Sequence, residues 1–216
     1  MQNFIDEVIR YLGYGENVPD KEVIDTITEI KNNADLLLKP KSVYGTFGIG
    51  YFDFLSSDLS AHLKGAESII LFAATLGAES ERLASYYQKT DIQKAVIFDA
   101  VCNALIEQYC DCICQEIADK LLKDNKYINT RFSPGYGDFS IEYQSLILDN
   151  LNAGRRIGLS VNQSSLLLPQ KSVTAVIGVF DSPPEGKARG CDSCNMKESC
   201  KMKGESGCSK TANSIL

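Results

Sequence analysis

The sequence predicts an α+β fold: a mixed or antiparallel twisted sheet flanked by helices, with a long central helix and a short cysteine-rich C-terminal tail. Three observations carry this. Strand-sized apolar runs, the longest being Ile69 to Ala74, mix with helical stripes without a regular βαβ rhythm. The stretch from Asp91 to about Lys123 is apolar over so much of its girth that a helix there must be buried at the centre of the domain. After Phe180 the chain holds four of its eight cysteines and, besides them, only Ala188, Met196, Met202, Ala212, Ile215 and Leu216 as apolar residues, too few for a core.

The elements follow in order. Phe4, Ile5, Val8, Ile9 and Leu12 recur at helical spacing, and Gly13 stops that helix. Asp20 caps a second helix with the stripe Val23, Ile24, Ile27, Ile30, Ala34 and Leu37, ended by Pro40. Residues 42–52 and 68–75 read as strands, and Thr75-Leu76-Gly77 turns into a helix over 78–89. Asp91 caps the long helix, with Ile92, Val96, Ile106, Ile113, Ile117 and Leu121 in one stripe, widened by Phe98, Val101, Leu105, Tyr109 and Cys112. Residues 131–138 read as a loop. A helix follows from Ser140 to Ala153, stopped by Gly154. Two strands close the body, with Ile157, Leu159 and Val161 alternating in one and Val173, Ala175, Ile177 and Val179 in the other. The run Asp181-Ser182-Pro183-Pro184-Glu185-Gly186 is a linker, so residues 1–180 are expected to form the domain and 181–216 the linker and tail.

Composition excludes several function classes. The 216 residues carry 22 Lys and Arg against 28 Asp and Glu, a net charge of -6, which disfavours nucleic-acid binding. A single histidine excludes a His-rich metal site. No apolar stretch reaches the ~20 residues of a membrane span, and the start of the chain has early acids and no apolar core of a signal peptide, so a cytoplasmic chain is expected. The P-loop pattern is absent, as is the three-cysteine run of radical AdoMet enzymes. Gly45, Gly48 and Gly50 are read as strand or turn glycines. Ser60-Ala61-His62-Leu63-Lys64-Gly65 is a faint match to the D-x-H-x-x-G loop of cobalamin-binding domains. Ser replaces the Asp and no Gly-Gly pair occurs, so His62 is read as an exposed or satisfied loop residue.

The tail spacing is C-x2-C-x5-C-x7-C, through Cys191, Cys194, Cys200 and Cys208. Ligation by four thiolates can order a segment that lacks a core, so zinc or an iron–sulfur cluster is the expected occupant, against a free thiol tail or a disulfide switch. Within the long helix, Cys110 and Cys114 share a face at i, i+4 while Cys112 points elsewhere; this group is read as packing.

The most informative segment is Arg131 to Asp138. Pro134-Gly135 fixes one dihedral and frees the next, so a sharp turn can form. Gly135 and Gly137 let main-chain groups approach a planar ligand. Arg131 can hold a carboxylate through two parallel hydrogen bonds, and Tyr136 offers a flat face and a hydroxyl. The alternative is a surface turn with a solvated arginine.

Arg131-x-x-Pro134-Gly135-Tyr136 resembles the R-x-x-P-G-Y loop of the reactivation domain of cobalamin-dependent methionine synthase. The long helix is similar to that family's central helix, with Glu107 where the family places a ligand-contacting Glu. The segment Leu168 to Thr174 resembles its P-x-x-S-V-S stretch, and Arg10-Tyr11-Leu12-Gly13-Tyr14 fits the start of short free-standing relatives. Coverage runs over roughly residues 90–180. The chain departs from the pattern at Gly137-Asp138, where the family has Pro, and at Val176 and Ile177, where it has an aromatic pair. The family's acidic N-terminal contact has no clear counterpart.

The resemblance implies binding of S-adenosylmethionine (AdoMet) through Glu107, Arg131, Pro134, Gly135, Tyr136 and Gly137. It implies reductive methylation of cobalamin on a separate corrinoid-dependent methyltransferase such as methionine synthase. Lacking substrate, folate and cobalamin modules, the chain is expected to be an accessory part of that methyltransferase activity, with no catalytic residue of its own. An electron donor such as flavodoxin or ferredoxin would serve the reduction. Two alternatives stand beside it: an iron–sulfur electron-transfer activator of a corrinoid protein, and an AdoMet-sensing interaction module.

Overall fold

The computed structural model describes residues 2–15 and 17–184. Helix α1 (Gln2–Tyr11) ends where predicted, at a glycine with positive φ, Gly13. Helix α2 (Lys21–Leu37) follows, then strand β1 (Lys41–Gly48), helix α3 (Ser57–His62), strand β2 (Ser68–Thr75) and helix α4 (Ala78–Thr90). Helix α5 (Ile92–Leu122) starts at the predicted cap, Asp91, whose side chain accepts from Lys94 N at 3.0 Å. Strand β3 (Tyr127–Ile128), helices α6 (Tyr143–Leu151) and α7 (Ala153–Ile157), and strands β4 (Ser160–Val161), β5 (Leu167–Leu168) and β6 (Ser172–Phe180) complete the chain.

Strands order as β1-β2-β6-β3, every neighbour antiparallel, with Tyr44 opposite Phe72 and Phe72 opposite Ala175. Both faces of this sheet are covered. Ile70, Phe72, Ala74, Ala175, Ile177 and Val179 face α1, α2 and α5. Ile69, Leu71, Ala73 and Val176 face Leu59, Phe132, Phe139 and the side chains of α6 and α7. Burial on two sides explains why β2 reads as an unbroken apolar run: each side chain, whichever way it points, meets a core. The fold class is therefore as predicted, α+β with a long central helix across an antiparallel sheet.

Several local expectations are corrected. Ile92 and Val96 are 72% and 56% exposed, because the buried stripe of α5 begins at Ile97, Phe98 and Val101. Cys112 is exposed, off the buried face that holds Cys102, Cys110 and Cys114. At the end of α2 the core position is Leu38, not Leu37, since the chain has already turned extended there. Asp20 sits at the cap of α2 without a side-chain capping bond. Strand β1 stops at Gly48, where Tyr51 N closes a turn onto its carbonyl at 3.0 Å. The helix after residue 140 breaks at Asn152 (φ 55°), and Gly154 lies inside α7, which ends at Gly158 (φ 72°). Ile157 is thus helical, and β4 and β5 form a separate two-stranded hairpin. Helix α3 falls where the sequence reading had a loop. The cysteines of the tail lie outside the described residues. Among the described residues, no helix is long and apolar enough to cross a membrane.

Candidate functional site

Arg131 owes its position to strand alternation. Phe132 pairs with Val176 through both of its main-chain bonds, at 2.9 and 2.8 Å, and packs into the core of α6 and α7. Its neighbour must point to the opposite face, toward α5. There Nη2 of Arg131 donates to Glu107 Oε2 at 2.8 Å, and Nη1 donates to Asp111 Oδ1 at 2.8 Å and more weakly to Cys114 Sγ at 3.5 Å. Glu107, Asp111 and Cys114 lie at i, i+4 and i+7, so one stripe of α5 presents all three. The guanidinium is 16% exposed and each carboxylate 43%, so the cation is shielded while its partners reach solvent.

The end of α1 closes one side. Arg10 pairs with Glu7 and lies over the Tyr11 ring, 4.4 Å from its centroid. Burial pushes the Tyr11 hydroxyl up from its ordinary value, and the charge of Glu107 adds to that, against the opposing charge of Arg10. Burial also pushes the Cys110 and Cys114 thiols up, with Arg131 opposing in both cases. Both therefore remain protonated thiols at neutral pH and do not compete for the arginine as anions.

The loop beyond Arg131 is built from two successive turns. Tyr136 N donates to Ser133 O at 3.3 Å across Pro134-Gly135, with Gly135 at φ 94°, the positive dihedral this turn position demands. Phe139 N then donates to Tyr136 O at 3.0 Å, and Gly135 N to Phe139 O at 2.7 Å. The Tyr136 side chain stands out at the surface, 63% exposed.

Residues that the sequence reading assigned no role hold this loop. Asp138 caps α3: its carboxylate accepts from the Ser56 and Ser57 hydroxyls, the Ser57 amide at 2.8 Å and the Asp58 amide at 3.1 Å. These bonds, the Ser56 hydroxyl foremost, hold its carboxyl well below the usual range. Asp58 Oδ2 in turn accepts from Asp138 N at 3.1 Å. His62 Nε2 lies 2.8 Å from Thr130 O, its ring tilted against Phe132, so the faint corrinoid-loop match resolves into a bracket for the extended segment that carries Arg131. Asn129 completes the bracket by accepting from Gly178 N at 2.7 Å and donating to His62 O at 2.8 Å.

The structure thus brings Glu107 and Arg131 into contact and places Pro134 to Gly137 on the same loop. It adds Asp111, whose signal in the sequence was a second acid one turn beyond Glu107. Val176 and Ile177 are buried in opposite cores. Ser172 Oγ donates to Thr75 Oγ1 at 2.7 Å or to Pro169 O at 2.6 Å, tying β6 to β2. Among the described residues, no cluster of His, Cys, Asp and Glu side chains could hold a metal ion. Chemically, the arrangement offers one fixed cation and two anions for a zwitterionic group.

No family model matches the chain, and no curated protein matches it. Among solved structures it is similar to a crystal structure of the MetH reactivation domain bound to AdoHcy, with a TM-score of 0.60 and 18% identity over 89% of this chain and 79% of that one. At that identity the likeness establishes the shared fold.

Proposed function

We propose that this chain is an AdoMet-binding accessory domain that supports reductive methylation of cobalamin on a separate corrinoid-dependent methyltransferase such as methionine synthase. The observation that carries the reading is the Arg131 head, fixed on α5 beside Glu107 and followed directly by the glycine-bent loop. The fold likeness supports it, because the similar domain was crystallised with AdoHcy.

The residues fit the amino-acid end of AdoMet. Arg131 has Nε and one Nη2 hydrogen without a partner among the described residues, enough for a carboxylate on that edge. Glu107 then turns to the ligand ammonium. The main chain around Pro134–Gly137 and the Tyr136 ring take the adenosine. AdoMet, when bound, supplies an electrophilic methyl whose transfer to cobalt draws an unfavourable reduction forward. The role of this chain is to position that group, with no acid or base of its own. The tail cysteines Cys191, Cys194, Cys200 and Cys208 are proposed to hold zinc or an iron–sulfur cluster, tested by metal and sulfide analysis after anaerobic purification.

Titration calorimetry with AdoMet tests the site. The full chain should release heat with single-site stoichiometry, and Arg131→Ala should abolish it. A flat isotherm for the unmodified chain overturns the reading.

A further inference from the structure

We infer that Asp111 makes the site selective for a net-cationic ligand, so that it favours AdoMet over its neutral thioether counterpart AdoHcy. The inference rests on the function proposed above and deepens it.

Counting charge at the site gives the argument. Arg131 brings one positive charge, Glu107 and Asp111 one negative charge each, and all three are joined by hydrogen bonds of 2.8 Å. Glu7 and Arg10, beside Tyr11 at the end of α1, form an internally neutral pair. The cluster therefore holds a net charge of about -1 around a partly buried guanidinium. An amino-acid end adds a carboxylate and an ammonium, which cancel. It exchanges partners with Arg131 and Glu107 and leaves the surplus negative charge where it was. Only a ligand with one more positive centre neutralises it, and the sulfonium of AdoMet is such a centre.

Asp111 is the source of the surplus. Glu107 is bound to Nη2, whose second hydrogen together with Nε takes the ligand carboxylate, so Glu107 is the partner that turns from the guanidinium to the ligand ammonium. Asp111 is bound to Nη1, on the other side of the guanidinium, together with Cys114. It can keep its bond while the ligand docks, which aims the guanidinium and retains the charge. The partial exposure of Asp111 limits the size of the effect through solvent screening.

The experiment is paired calorimetry of the full chain with AdoMet and with AdoHcy, repeated for Asp111→Asn and Asp111→Glu. The unmodified chain should prefer AdoMet by about tenfold, at low salt, and less as salt is raised. Asp111→Asn should bring the preference below about threefold while still binding AdoHcy, and Asp111→Glu should restore it. An unchanged ratio in Asp111→Asn, or equal affinities in the unmodified chain, overturns the inference and leaves the proposed function standing. Absence of binding by either ligand to the unmodified chain overturns both. Should Asp111→Asn bind neither ligand, the ratio for Asp111→Glu decides: a preference near that of the unmodified chain supports the charge argument, and its loss overturns it.

Discussion

A Cβ placed on Gly137 would lie 2.0 Å from Oδ2 of Asp58, the same oxygen that accepts from Asp138 N at 3.1 Å. The loop after Arg131 and the first turn of α3 are therefore pressed together at a point where no side chain fits. Gly137 also has φ 57°, which costs an alanine or other residue with an apolar side chain about 1–2 kcal/mol.

Gly137→Ala should lower stability through both terms, strain and displacement of Asp58. Gly135 provides the comparison: its φ is 94°, but nothing lies within 4 Å of its Cβ position, so Gly135→Ala carries strain alone. Thermal melts should rank the variants with Gly137→Ala clearly the less stable. Equal melting temperatures would show that the contact with Asp58 is not tight.

Asp138 gives a pH-dependent prediction. Its carboxyl is held below the ordinary value by the Ser56 and Ser57 hydroxyls and the α3 amides. A group whose folded pKa is depressed stabilises the fold above its unfolded pKa, about 3.9, and loses that contribution as the pH falls toward the folded value. Asp138→Asn should thus be less stable than the unmodified chain at pH 7, and the gap should narrow below about pH 4. Melting temperatures of both proteins from pH 7 to pH 2 measure it; a gap of constant size would mean the carboxylate charge contributes nothing.

What the sequence made legible follows from the range of the interactions involved. Asp91 as the cap of α5 and Gly13 as the stop of α1 are local signals, decided within a few residues, and both hold. So does the Pro134-Gly135 turn. The boundary at Asn152 is not legible in the sequence, because an asparagine in the left-handed region competes with the more familiar signal at Gly154. Ile92 and Val96 are exposed although they fall on the apolar stripe, because periodicity gives the stripe but the packing of neighbouring elements decides which edge of a wide stripe is covered. At the site, Arg131 and Glu107 could be singled out by residue type. Their direct pairing could not, nor could the roles of Asp111, Asp138 and Asn129, since each depends on contacts across 20 to 82 residues of chain.

The cysteines of α5 allow the helix packing itself to be checked. Burial pushes Cys102 up to about 12 and raises Cys110 and Cys114 as well, whereas Cys112 faces solvent. Thiolate, not thiol, reacts with alkylating reagents, and a buried thiol is shielded besides. Iodoacetamide at pH 8 followed by peptide mapping should therefore modify Cys112 in the native chain and reach Cys102, Cys110 and Cys114 only in denaturant. The same shifts carry a sign for stability. A group whose folded pKa is raised stabilises the fold below its unfolded value, about 8.5 for a thiol, and that contribution is lost as pH climbs toward the folded value. Melting temperature should fall above about pH 8.5, and Cys102→Ala should flatten the fall, even though removing the side chain lowers stability at neutral pH. Rapid native labelling of Cys102, or an alkaline slope unchanged by Cys102→Ala, would place that residue outside the core between α5 and the sheet.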